Sequence, residues 1–259
     1  MKDTISKGEE IEFDHTRNSH SLEGARAAVS IIFPEGVPHS ALDVGCGIGA
    51  WMRAAAEAGA TDYLGVDGVA IPPEQLLVDQ NHFVRGNLAA KLDLGRRFDV
   101  VFCMEVAEHL DPEHAGVLLD TLVRHSDLIV FSAACPGQPG QHHVNCRWPV
   151  YWQEMFNARG YACEDEVRWR LWECEAVEPW YRQNIFIARR APSEAGREPR
   201  LRAAVHPQVM PSIRGTAFDD IWAGNMSSRW YVSILVKALK ARVRRLFQVE
   251  KLRREYSKS

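Results

Sequence analysis

The 259 residues lack any run approaching the ~18 apolar residues needed to span a bilayer, and no apolar segment follows Met1, where residues 2–17 are polar. The expectation is a chain that stays in the cytoplasm. The six cysteines show no CxxC spacing, which leaves out the commonest zinc and dithiol frameworks. Cys46 and Cys103 fall in apolar core segments, so reduced thiols are expected rather than disulfides. No internal repeat is visible, and charge of neither sign dominates, with a net of −3. That balance hides an asymmetry: residues 237–258 carry nine Lys or Arg against two acids, a local +7, so the remainder of the chain is −10. At this length, with 46% hydrophobic and 25% charged residues, one α/β core plus an appendage is the default.

The most informative stretch present is ALDVGCGIG at 41–49. Residues 41–44 read as a short apolar strand, Gly45, Gly47 and Gly49 as a tight turn, and 50–58 (AWMRAAAEA) as a helix of strong formers. Glycines let a ligand approach the backbone, and the open N–H groups of a first helical turn point at whatever binds there. Gly45, Gly47 and Ala50 also satisfy the dinucleotide pattern with alanine in third place. Against that reading, the Asp43 carboxylate would repel a pyrophosphate. It suits a ligand carrying an ammonium and a sulfonium, such as S-adenosylmethionine.

These residues resemble a known family. The segment from Ala41 to about Arg190 is similar to class I S-adenosylmethionine-dependent methyltransferases, with residues 43–49 (DVGCGIG) as their first motif, YLGVD at 63–67 as the second strand, and FDVVFC at 98–103 as the fourth. The resemblance implies that Asp43 holds the ammonium, that Gly45, Cys46, Gly47 and Gly49 give the backbone contact, and that Asp67 binds both ribose hydroxyls. It places Asn87 and Leu88 at the adenine, where an aspartate is frequent; asparagine can still accept from the amino group. Glu105 is implied at the methionine end.

Further elements fit an alternating order. Residues 19–33 carry a helical apolar stripe with Ser19 or Ser21 as N-cap, 72–78 read as a short helix, 82–85 as a third strand, and 127–132 as a fifth. Asp111-Pro112-Glu113 opens a helix, 150–158 form another ended by Gly160, and 161–169 with 184–189 supply a final strand pair, antiparallel in the family. The expected fold is a doubly wound, mostly parallel, seven-stranded Rossmann-like sheet with a C-terminal basic amphipathic helix. Its expected divisions are a mobile 1–18, a catalytic domain at 19–190, a proline-interrupted linker at 191–215 and a helical tail at 216–259.

Methyl transfer is an in-line displacement, so positioning does most of the work and a base or metal is needed only for a poor nucleophile. Glu105, Glu108 and His109 in MEVAEHL stand at i, i+3 and i+4, one face of a helical turn. With His142 or His143 from the later HHVN loop they can hold a divalent ion, as in the similar methyltransferases of ubiquinone synthesis and of small-RNA 3′ ends. The resemblance carries over only to Glu105, Glu108, His109 and one later histidine. His109, His142 or His143 acting as a metal-free base, a zinc site involving the flanking Cys135 and Cys146, and a structural role all stay open. The loop PGQPGQHHVN at 136–145 and WYRQN at 180–184 resemble a subgroup that modifies sugars and glycans.

The expected reaction is O-methylation of a small or glycan-linked hydroxyl. A metal-dependent 2′-O-methyltransferase of RNA ends and a non-catalytic, membrane-tethered cofactor binder are the alternatives. Residues 230–247 form an apolar helical face opposite Lys237, Lys240 and Arg244, suited to docking, to dimerisation or to peripheral contact with the inner membrane face. Nucleic acid is the least favoured partner, since no reading motif accompanies the charge.

Overall fold

The computed structural model describes residues 21–209, together with 228, 229, 231–233, 235 and 236. The 1–18 segment and most of the tail lie outside the described residues. Of the helix expected over 230–247, residues 231–233, 235 and 236 are described, and they are helical. The chain divides into two units, Met1–Ile213 and Arg214–Ser259, and the sheet belongs wholly to the first. No helix among the described residues is long and apolar enough to cross a membrane.

Seven strands form one sheet in the order β3-β2-β1-β4-β5-β7-β6, namely β1 (Ser40–Val44), β2 (Asp62–Asp67), β3 (Phe83–Arg85), β4 (Val100–Met104), β5 (Leu128–Ser132), β6 (Tyr161–Glu164) and β7 (Phe186–Arg190). Pairings from β3 through β5 are parallel, and β7 runs antiparallel to both β5 and β6. The chain leaves β1 toward one edge and returns beside it as β4. That reversal opens a crevice at the strands' carboxyl ends, where ligands bind in such sheets.

Each central strand is apolar on both sides because both faces are covered. Leu42, Val44, Val101, Cys103, Ile129 and Phe131 pack under α3 (Ala115–His125) and α4 (Pro149–Asn157). The alternating set Ala41, Val100, Phe102, Met104 and Val130 packs under α1 (Leu22–Ile32), α2 (Ala50–Glu57), α5 (Glu166–Leu171) and α6 (Pro179–Asn184). Ser21 caps α1, its hydroxyl accepting from the Gly24 N–H at 2.9 Å. All six cysteines are free.

Several local expectations need correction. The helix expected at 72–78 is a single 3-10 turn, Pro73–Gln75, because the paired prolines remove two donors from so short a segment. Asp111-Pro112-Glu113 starts another such turn, Pro112–His114, and the α-helix begins only at Ala115. The strand expected over 161–169 ends at Glu164 and turns into α5, where Val167 and Leu171 seek the opposite face at helical spacing. Asn184 closes α6 rather than opening the last strand. Residues 191–209 are no free linker: Leu201, His206 and Val209 are buried, and the Leu201 N–H donates to Gln153 Oε1 at 2.9 Å.

Candidate active site

At the end of β1 the chain turns into α2 through Gly45, Gly47 and Gly49, all with positive φ. Gly45, at φ +81°, leaves room for the facing side chain, since a Cβ there would lie 2.3 Å from Val106 Cγ2. Gly49 is the N-cap of α2, at φ +87°. The turn is pinned to β2, with the Gly45 and Cys46 N–H groups donating to Val66 O at 2.7 and 3.1 Å. Cys46 is buried, its Sγ 3.6 Å from Gly47 O.

Two carboxylates meet beneath this turn. Asp67 Oδ2 accepts from the Gly47 N–H and its Oδ1 from the Val69 N–H, each at 2.8 Å. Asp43 is 2% exposed; it faces the Met52 N–H at the start of α2, and its Oδ2 has no hydrogen-bond donor. Burial, then the charge of Asp67, pushes the Asp43 carboxyl up to about 8. A carboxyl held this way ionises readily only beside a cation, and an ammonium meets the need while a pyrophosphate opposes it. Asn87 is exposed, its Oδ1 accepting from the Ala89 N–H at 2.9 Å with one lone pair to spare. Leu88 is buried within the core cluster on the α3 and α4 side of the sheet.

Beyond β4 the expected shared helical face does not form. Glu105 stands at φ +53°, and the residues after it make a short 3-10 turn, Ala107–His109. That kink leaves Glu105 beside Glu108, carboxyl against carboxyl, but outside the group that Glu108 forms with His109. Its carboxylate accepts from Gln138 Nε2 at 2.9 Å and from Asn184 Nδ2 at 3.1 and 3.2 Å. Burial raises its pKa against the pull of these donors.

Glu108, His109 and His143 converge instead, their ligand atoms all within 4.8 Å of one another. Glu108 is fully buried, and neither carboxylate oxygen has a well-formed hydrogen bond, so burial and the nearby Glu105 raise its pKa well above the usual range. Burial, followed by the neighbouring His143, lowers His109 to about 4. The two imidazoles meet edge to face, with centroids 5.0 Å apart. His143 donates from Nδ1 to Gln138 O at 2.9 Å, which leaves its Nε2 unprotonated when the ring is neutral. The HHVN loop reaches this place because the Val144 and Asn145 N–H groups both donate to Glu108 O, at 2.9 and 3.0 Å. His142, at φ +48°, is exposed and stands outside the cluster, as does Glu105.

The family model for a methyltransferase domain matches residues 14–179. The chain belongs to the class I S-adenosylmethionine-dependent methyltransferase family. Solved structures agree on the fold. This methyltransferase is similar to the sugar N-methyltransferase KedS8 from Streptoalloteichus, at 16% identity over 74% of this chain and 98% of that one, with a TM-score of 0.53. It is also similar to the Burkholderia thailandensis 1,6-didemethyltoxoflavin N1-methyltransferase, solved with its acceptor and S-adenosylhomocysteine, at 20% identity over 69% and 81% with a TM-score of 0.50. No curated protein matches the chain.

Gln138 and Asn184, the partners of Glu105, carry no motif that singles them out as site residues in the sequence. Both sit in stretches the glycan resemblance marks, PGQ and RQN. A buried glutamate at the end of β4 needs amide donors, and those two stretches supply them in the fold.

Proposed function

We propose that this methyltransferase acts on the oxygen of a small or glycan-linked hydroxyl, with Glu108, His109 and His143 holding a divalent cation at the acceptor. The observation that carries the reading is the fully buried Glu108 carboxylate with a ligand nitrogen of each of two imidazoles, His109 and His143, all within 4.8 Å of one another. A neutral amine attacks through its lone pair and sheds its proton afterwards, whereas a hydroxyl is a weak nucleophile until its proton is drawn off, so this donor set serves the acceptor that needs it. Two nitrogens and a carboxylate oxygen suit a borderline divalent ion with open positions. Such an ion supplies Lewis acidity that lowers the pKa of a bound hydroxyl.

S-adenosylmethionine, when bound, supplies the electrophilic methyl group. Asp43 would take the ammonium, the 45–49 turn the backbone contact, Asp67 the ribose, and Asn87 the adenine amino group through its spare lone pair. Glu105, held by two amides, faces the methionine end. The likeness to KedS8, a sugar N-methyltransferase, supports a sugar-bearing acceptor.

Mass spectrometry after incubation with cell extract and labelled S-adenosylmethionine tests this. The expected product is a methyl ether on a small or glycan hydroxyl, lost in chelator and restored by added divalent metal. Methylated amines formed at full rate in chelator would overturn it, and label on RNA 3′ ends would redirect it to the RNA reading.

A further inference from the structure

The segment following the last strand closes against the site through one chain of amides. Its outer part is tied down where the Glu198 carboxylate accepts from Gln153 and Asn157 at 2.9 and 2.6 Å. Farther along, His206 is 4% exposed and its ring is fully committed. Nδ1 accepts from the Gln208 N–H at 3.2 Å, so Nε2 carries the proton it donates to Trp172 O at 3.0 Å. The His206 main-chain N–H then donates to Gln183 Oε1 at 2.8 Å.

That single bond sets the polarity of everything inward of it. A main-chain N–H can only donate, so Gln183 must present oxygen to it and turn its amide nitrogen inward. Gln183 Nε2 faces Asn184 Oδ1 and Cys135 Sγ, each at 3.0 Å, and Gln138 Oε1 at 3.3 Å, and Gln138 Oε1 also accepts from Asn184 Nδ2 at 2.9 Å. With both oxygens engaged as acceptors, Asn184 and Gln138 have only N–H groups left for Glu105, and both point there. Reversing any one of the three amides would set oxygen against oxygen in a buried place, at a cost of a lost bond and an unsatisfied group. Gln138 also receives His143 Nδ1–H on its main-chain oxygen.

We propose that residues 191–209 are a positioning strap of the active site, in which the His206 N–H, acting through Gln183, Asn184 and Gln138, orients Glu105 and His143. None of the three amides is a catalytic residue; each acts through another group. The inference rests on the reading above only for the roles of Glu105 and His143, since the relay itself is a matter of hydrogen-bond direction.

The test compares two near-isosteric variants. Gln183→Met cuts the relay, while Gln153→Met loosens the outer end of the strap without touching it. Nitrogen-15 spectra of the His143 ring in the full-length protein should show a single Nδ1–H form in wild type and in Gln153→Met, and a tautomer mixture in Gln183→Met. Calorimetry with S-adenosylhomocysteine should find affinity about tenfold weaker in Gln183→Met and within about twofold of wild type in Gln153→Met, melting temperatures being recorded for both. Equal losses in the two variants, scaling with melting temperature, would overturn the proposal in favour of simple stability. An unchanged His143 spectrum in Gln183→Met would overturn it as well. Failure of wild type to bind S-adenosylhomocysteine would instead sink the cofactor reading, while the ring spectra still decide the relay.

Discussion

The two ends of the proposed site, one for cofactor and one for acceptor, are built by opposite means. Around β1 and β2, all but Asn87 and Leu88 lies in residues 41–67: two buried carboxylates, three glycines at positive φ, and a helix start. Around β4, the working groups come from positions 105, 108, 109, 138, 143, 184 and 206, joined by bonds between residues up to 79 positions apart. The first kind of site is a local shape that a short motif can encode. The second is a negotiated arrangement, in which each side chain is placed by the hydrogen bonds its neighbours have left open.

The contrast can be broken from either end, and the largest effect is expected at the turn. Gly45→Ala places a Cβ 2.3 Å from Val106 at a φ of +81°, which should cost about 3 kcal/mol of stability. Titration calorimetry should find S-adenosylhomocysteine binding abolished even where the variant stays folded.

Next in size is Glu108→Gln, which should lower kcat with a hydroxyl acceptor by about a hundredfold or more. S-adenosylhomocysteine affinity should stay near wild type, and bound metal measured by elemental mass spectrometry should vanish. Cofactor affinity falling together with turnover would blur the two ends into one.

Asp43→Asn should weaken S-adenosylhomocysteine by about 2 kcal/mol, roughly thirtyfold, yet stabilise the unliganded protein at neutral pH. The sign follows from a folded-state pKa of about 8 against an ordinary carboxyl value near 3.8. The native state holds a proton that the unfolded chain has released, so the favourable contribution is complete below about pH 4 and is lost as pH rises toward 8. Denaturation of both proteins at pH 4 and pH 8 checks this, since the variant's advantage should grow between them. Ligand binding should also release a proton from Asp43, visible as a buffer-dependent heat in wild type and absent from the variant.

The smallest effect is expected at Asn87→Ala, where losing the Asx bond to Ala89 and one acceptor should cost about 0.5–1 kcal/mol in S-adenosylhomocysteine affinity. A larger loss would mean that the adenine depends on this residue far more than its exposed position indicates.

Legibility in the sequence followed the same divide. The ALDVGCGIG stretch, the second-strand acid and the alternation of strands and helices were readable because each depends on neighbours within about one turn or one strand. The helix start at Ala50 was readable for that reason too, as was Ser21, one of two N-cap candidates beside Ser19. The spacing in MEVAEHL misled, since one residue in left-handed conformation at Glu105 undid the assumed helical face. The prolines of 191–209 looked like those of a linker, and no local pattern announces that a main-chain N–H at His206 completes an amide relay.

The amino-acid sequence alone determined the doubly wound sheet, the family, and the acid and glycine turn proposed to receive a cationic cofactor. These follow from side-chain periodicity and backbone sterics acting over a few residues. Tertiary structure decided which of Glu105, His142 and His143 joins Glu108 and His109, and what the chain beyond β7 does. Those outcomes depend on satisfying buried polar groups whose partners are distant in sequence, and a buried donor or acceptor can be assigned only when every competing partner around it is in place.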